Sequence, residues 1–170
     1  MKPVSGLLRF LRYLAGKKSE VEDLEVKDAL LAKAVLDIHR KKSRKETICV
    51  PLSHLHQVHR LDRPNALATT RSRIEALRQH KQELVERKTL TCDVLARVLP
   101  SVSWIKVVRE AGDSFLAFEG NGRIAAMQAV FGPQDGMLVE VERYTFRNPG
   151  KILRRLNRVR RLSGLLNSQP

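Results

Sequence analysis

Phe115-Leu116-Ala117-Phe118-Glu119-Gly120-Asn121-Gly122-Arg123-Ile124-Ala125-Ala126-Met127-Gln128-Ala129-Val130-Phe131 is the stretch on which the reading of this chain turns. An apolar run from Phe115 to Phe118 predicts a strand. Two glycines then stop it, and Ile124 to Phe131 predicts a helix. Glycine permits positive φ and a close approach of the backbone to a ligand. The N-terminus of a helix presents unpaired N–H groups and a partial positive charge, which favours anions. Arg123 adds a cation able to make a bidentate contact. Gly120, Asn121, Gly122 and Arg123 are therefore the candidate phosphate cradle. The competing reading is a purely structural turn with an exposed arginine. Glu119 is the one carboxylate of the turn, and so the one local candidate for a catalytic acid, base or metal ligand; its other role would be to orient Arg123 or the turn backbone.

Outward from the turn, the elements alternate in type. Trp104 to Val108 and Phe115 to Phe118 predict two strands of a hairpin around Ala111-Gly112-Asp113. Met137 to Phe146 predicts a last strand after the break at Gly132 to Gly136. Upstream, Ile48-Cys49-Val50 predicts a short strand stopped by Pro51. A polar loop from Ser53 to Asn65 follows, then a long helix from Ala66 to Arg87 and a short one from Cys92 to Leu99. The fold class is α+β, a small mixed sheet with flanking helices, organised as an N-terminal extension and linker (1–46), a core domain (47–146) and a basic C-terminal helix (147–170). Gly120 to Ala125 also satisfies G-x-G-x-x-[GA], with Glu140 about twenty residues on. A doubly wound dinucleotide fold is rejected, because one strand alone follows the motif and a hairpin precedes it.

The 170 residues carry 32 lysines and arginines against 18 acids, a formal net charge of +14. Such an excess favours anionic partners. It gathers at the two ends. No acid follows Glu142, and none lies among the first eighteen residues, which hold Lys2, Arg9, Arg12, Lys17 and Lys18. Residues 5–15 place Leu7, Leu8, Phe10, Leu11 and Leu14 at helical spacing between arginines. That pattern suits contact with a membrane surface, an organelle-targeting segment, or a helix packed on its own domain. A second helix over 20–40 opens on Ser19 and Glu22 as a capping box, and Arg40 to Lys45 reads as a solvated linker. No apolar run approaches the roughly 20 residues of a membrane span. Cys49 and Cys92 form neither a disulfide framework nor a metal pair; as reduced core thiols they point to a cytoplasmic interior, or a mitochondrial one if residues 1–18 target the chain.

The order of elements, with Phe118-Glu119-Gly120-Asn121-Gly122-Arg123-Ile124-Ala125-Ala126 at its centre, resembles the ParB/sulfiredoxin-like superfamily over residues 47–146. The resemblance implies nucleotide phosphate bound at the turn by the backbone and Arg123, with a nucleoside triphosphate and Mg2+ as the implied cofactor. It also implies an arginine from the loop after the first strand, for which Arg60 and Arg63 both qualify, and brings His59 near the site. The chain departs from the family where sulfiredoxins carry a reactive cysteine and the ParB group a glutamate: Asn121 stands there, and Gly122 replaces a second arginine. Thiol chemistry at the turn is excluded, since an amide is no nucleophile. The expected function is non-catalytic binding of a nucleotide or other phosphate ligand. The alternatives are a phosphotransferase or nuclease-like enzyme using Glu119, and a nucleic-acid-binding structural protein with a vestigial turn.

Two further groups of residues bear on function. His54, His56 and His59 have metal-like spacing but no evident fourth ligand except Asp62, so a polar loop is expected rather than a metal site. The C-terminal helix from Lys151 to Leu162 sets Ile152, Leu153, Leu156, Val159 and Leu162 on one side. Lys151, Arg154, Arg155, Arg158, Arg160 and Arg161 cover the rest, a candidate surface for RNA, DNA or anionic lipid. No aromatic residue interleaves with them, so binding would be directed at the backbone and sensitive to salt.

Overall fold

The structure is a computed structural model and describes residues 26–166. The basic segment 5–15 and the Ser19–Glu22 capping box lie outside the described residues. Among the described residues, six helices and a six-stranded mixed sheet make an α+β fold. In chain order they are α1 (Val26–Lys41), β1 (Arg44–Pro51), β2 (Leu55–Gln57), α2 (Pro64–Gln79), α3 (Lys81–Arg87), β3 (Thr89–Leu90), α4 (Cys92–Val98), β4 (Lys106–Arg109), β5 (Phe115–Glu119), α5 (Asn121–Val130), β6 (Leu138–Thr145) and α6 (Gly150–Leu162). None of these helices is long and apolar enough to cross a membrane.

The sheet order is β1-β6-β4-β5-β2, and the short β3 also pairs with β6. β1 and β6 are antiparallel, as are β4 and β5, whereas β2 runs parallel to β5 and β4 parallel to β6. Only Leu52, Ser53 and His54 join β1 to β2, the two edges of that path. Four residue steps reach about 14 Å, and four flat strand spacings need about 19 Å. The sheet must therefore coil so that its edges approach. Gln128 Nε2 holds the crossing by donating to the Leu55 carbonyl at 2.9 Å.

Both faces of the sheet are covered, which explains why β5 is buried at Phe115, Leu116, Ala117 and Phe118 without polar interruption. On one face Leu77, Leu84, Leu95, Ile124 and Met127 pack against Val107, Ala117, Val139 and Val141. On the other, Ala34 and Ile38 of α1 join Ile152, Leu156 and Val159 of α6 over Val108, Leu116, Phe118 and Tyr144. Each fully buried Leu, Ile or Met contributes about 1.5–3 kcal/mol relative to exposure. α1 is thus an integral layer of the fold.

Several expectations need correction. The run Arg40 to Lys45 is no linker: it ends α1 and begins β1. The polar loop contains β2, whose three residues are too short to show a period. The expected helix 66–87 is two helices broken at His80. Cys49 is exposed and Cys92 half-buried, both free, so neither is a core thiol.

Candidate functional site

The turn is built as a glycine-capped helix start. Gly120 has φ 96° and caps α5, which begins at Asn121, three residues earlier than the apolar pattern indicates. A Cβ at Gly120 would lie 2.9 Å from Ile105 Cγ1 and 3.2 Å from Ile105 Cα. Both the dihedral and the space therefore require glycine. The Gly120 carbonyl accepts from the N–H groups of Arg123 and Ile124 at 3.0 and 3.1 Å. The amides of Asn121 and Gly122 belong to the orphan donors of the first helical turn.

Asn121 serves the fold. Its Oδ1 accepts from the Val58 amide at 2.8 Å in a buried contact, tying the end of β2 to the turn. Arg123 is 6% exposed. Its Nη1 donates to Ser103 Oγ at 2.7 Å and its Nη2 to the Trp104 carbonyl at 3.4 Å, while Nε has no partner. No carboxylate pairs with Arg123 among the described residues.

A second arginine completes the site, and it is neither of those expected. On α2 the inward stripe reads Ala66, Thr70, Arg73, Leu77, so two polar side chains occupy places where apolar ones would pack. That stripe lies along α5. A Cβ at Gly122 would lie 3.0 Å from Arg73 Nη1 and 3.2 Å from Thr70 Oγ1, so the absent side chain at Gly122 admits them. Thr70 Oγ1 and Arg73 Nε are buried without a hydrogen-bond partner. Arg73 likewise has no carboxylate partner among the described residues. Burial lowers the pKa of both guanidinium groups, and Arg123 is lowered further by the charge of Arg73. Mutual repulsion of this kind leaves a local excess of positive potential at the helix start.

Arg73 and Arg123 line an open cleft of about 470 Å³ with Glu119, Gly120, Asn121, Gly122, His59, Leu61, Phe118 and the segment Ser101–Ser103. The volume suits a small organic ligand. Arg60 and Arg63 are not in it. Arg60 Nη2 donates to the Gly164 carbonyl at 2.8 Å, and Arg63 Nη2 pairs with Asp28 at 2.5 Å. Both line a separate cavity under α1 that shares only His59 and Leu61 with the cleft. The loop register that suggested them is altered by β2, which ends at Gln57.

Glu119 stands in the cleft but does not orient Arg123. Lys106 Nζ lies 2.7 Å from its Oε2 and His39 Nε2 lies 3.7 Å from its Oε1. It is the one carboxylate lining the cleft, and it is already engaged. The residues therefore fit a phosphate group but provide no free carboxylate for Mg2+; a hydrated ion there would rely on the phosphate oxygens. The three histidines separate: His54 and His56 line a small cavity beside the β4–β5 turn, away from His59. No group of three His, Cys, Asp or Glu suited to a metal occurs among the described residues.

No protein-family model matches the chain, and no curated protein or solved structure is significantly similar to it. Sequence reasoning missed Arg73, Thr70 and Ser103. A signal was present for the first two: their spacing puts both on the apolar stripe of a helix that otherwise keeps its charges outward.

Proposed function

We propose that this protein binds a phosphate-bearing ligand, a nucleotide or related phosphoester, at the start of α5, without turning it over. One observation carries the reading. Arg123 is nearly fully buried, with an unpartnered Nε and no carboxylate partner among the described residues, and it stands at a helix N-terminus beside the half-buried Arg73, whose Nε also lacks a partner. A buried charge is normally paired within the fold. Arg123, with Arg73 beside it and the orphan amides of the first helical turn below, favours an anion as its partner. The resemblance to the ParB/sulfiredoxin-like superfamily points the same way. Glu119 is engaged by Lys106 and His39, which favours binding over a general-acid or general-base role for it.

The test is a thermal-shift panel of ATP, CTP, GTP and their diphosphates, with and without Mg2+, on the wild type and Arg123→Ala. A ligand at 100 times its Kd stabilises a fold by about 2.7 kcal/mol, a readily visible rise in Tm. The expected result is a rise with at least one ligand that disappears in Arg123→Ala. A rise of equal size in that variant would remove Arg123 from the site.

A further inference from the structure

α6 divides its six cations into two kinds. Arg155 and Arg160 point inward. Arg155 pairs with Asp37 of α1, and Arg160 Nη1 lies 3.0 Å from Glu110 Oε1. With Ile152, Leu156 and Val159 they fix the helix to α1 and to the strand hairpin. Lys151, Arg154, Arg158 and Arg161 are all exposed. Their spacing of three, four and three residues sets them in one line along the helix. Among the described residues, none of these four side chains has a hydrogen bond or an ion pair. Arg147, just before the helix, and Lys41 and Lys42 at the end of α1 are exposed beside the same end.

We infer that this row of four cations is a docking surface for the phosphate backbone of a nucleic acid. Charge complementarity identifies the occupant. From Lys151 to Arg161 the row covers ten residue steps, about 15 Å at 1.5 Å per step. A duplex presents a matching linear array, one negative charge per about 1.7 Å of its axis. A lipid surface fits less well, because an interfacial helix must sink an apolar face into the bilayer. The apolar face of α6 is already committed to the core, with Ile152, Leu156 and Val159 at most 1% exposed. No aromatic side chain lies in the row, so contact is with phosphates and carries little sequence preference. The surface is independent of the cleft at α5 and does not rest on that reading.

The experiment is fluorescence anisotropy of a labelled 20-base-pair duplex titrated with the full chain between 50 and 200 mM salt. The wild type is compared with Lys151→Gln/Arg154→Gln/Arg158→Gln/Arg161→Gln. A control variant, Lys33→Gln/Arg71→Gln/Arg78→Gln/Arg97→Gln, removes four exposed charges elsewhere. The row variant is expected to flatten the slope of log affinity against log salt by about 3 to 4, at roughly 0.9 per neutralised phosphate. The control is expected to leave the slope within about 1 of the wild type. An unchanged slope in the row variant overturns the inference, as does an equal flattening in the control, which would make net charge the cause. Wild type that ignores the duplex but binds phosphatidylserine vesicles also overturns it. Unaltered Tm in both variants, the expected result, ties the flattening to the row rather than to unfolding. If the row variant melts early, Arg154→Lys/Arg158→Lys/Arg161→Lys replaces it and is expected to keep the wild-type slope; a slope flattened in that variant counts against the inference.

Discussion

Arg123 and Arg160 are both buried arginines, 6% and 9% exposed, and both leave Nε without a partner. They differ in what faces them. Arg160 meets the carboxylate of Glu110 and the side chain of Asn157. Arg123 meets a hydroxyl, a carbonyl and the field of Arg73. The first is neutralised inside the fold and belongs to its architecture. The second is held by the fold and has no carboxylate partner among the described residues. That difference, at nearly the same burial, is what the proposal of an anion site at Arg123 rests on.

Substitutions can break this comparison. The largest effect is expected at the cap that aims Arg123. Gly120→Val forces a β-branched residue to φ 96° against Ile105. It should destabilise by about 3 kcal/mol, read from urea unfolding. Next is Arg160→Met, which strands Glu110 in a half-buried site. A loss of about 2 kcal/mol is expected. Asn121→Ala removes the buried acceptor of the Val58 amide and should cost about 1 to 2 kcal/mol.

Arg123→Met is the informative opposite. It removes a buried, unpaired charge, so the ligand-free protein should keep its stability within about 1 kcal/mol or gain a little. A loss matching that of Arg160→Met would show that the two arginines play the same structural part.

The smallest effect concerns pH. Burial lowers the His56 pKa, and the Arg160 charge lowers it further. Above the unfolded value of about 6.5 both states are neutral and His56 contributes nothing to the pH dependence. As pH falls below that value the unfolded chain takes up the proton first, so stability declines. His56→Gln should reduce the decline between pH 7 and 5, followed by Tm. An unchanged pH profile would remove His56 as its source.

The parts legible in the sequence were those with local signals. Apolar β5, the two glycines and the start of α5 are adjacent in the chain, and their reading placed Gly120 and Arg123 in the cleft. α6 was likewise visible from its period. What escaped depended on contacts far apart in sequence. Arg73 joins the site only because α2 packs along α5, and β2 has too few residues to carry a pattern. Arg155 and Arg160 read as free cations because their partners lie outside α6, Asp37 on α1 and Glu110 in the strand hairpin. Pairing across elements is also why Glu119 looked available: Lys106 and His39 reach it from β4 and α1.

The most direct measurement is calorimetric titration of the nucleotide that gives the largest thermal shift into wild type, Arg73→Met, Arg123→Met and Arg60→Ala. Both methionine variants are expected to weaken binding at least tenfold, about 1.4 kcal/mol each. Arg60→Ala, whose guanidinium is bound to the Gly164 carbonyl outside the cleft, should bind as the wild type does. Binding that survives in Arg73→Met and Arg123→Met but fails in Arg60→Ala would contradict the assignment and move the site to the cavity under α1.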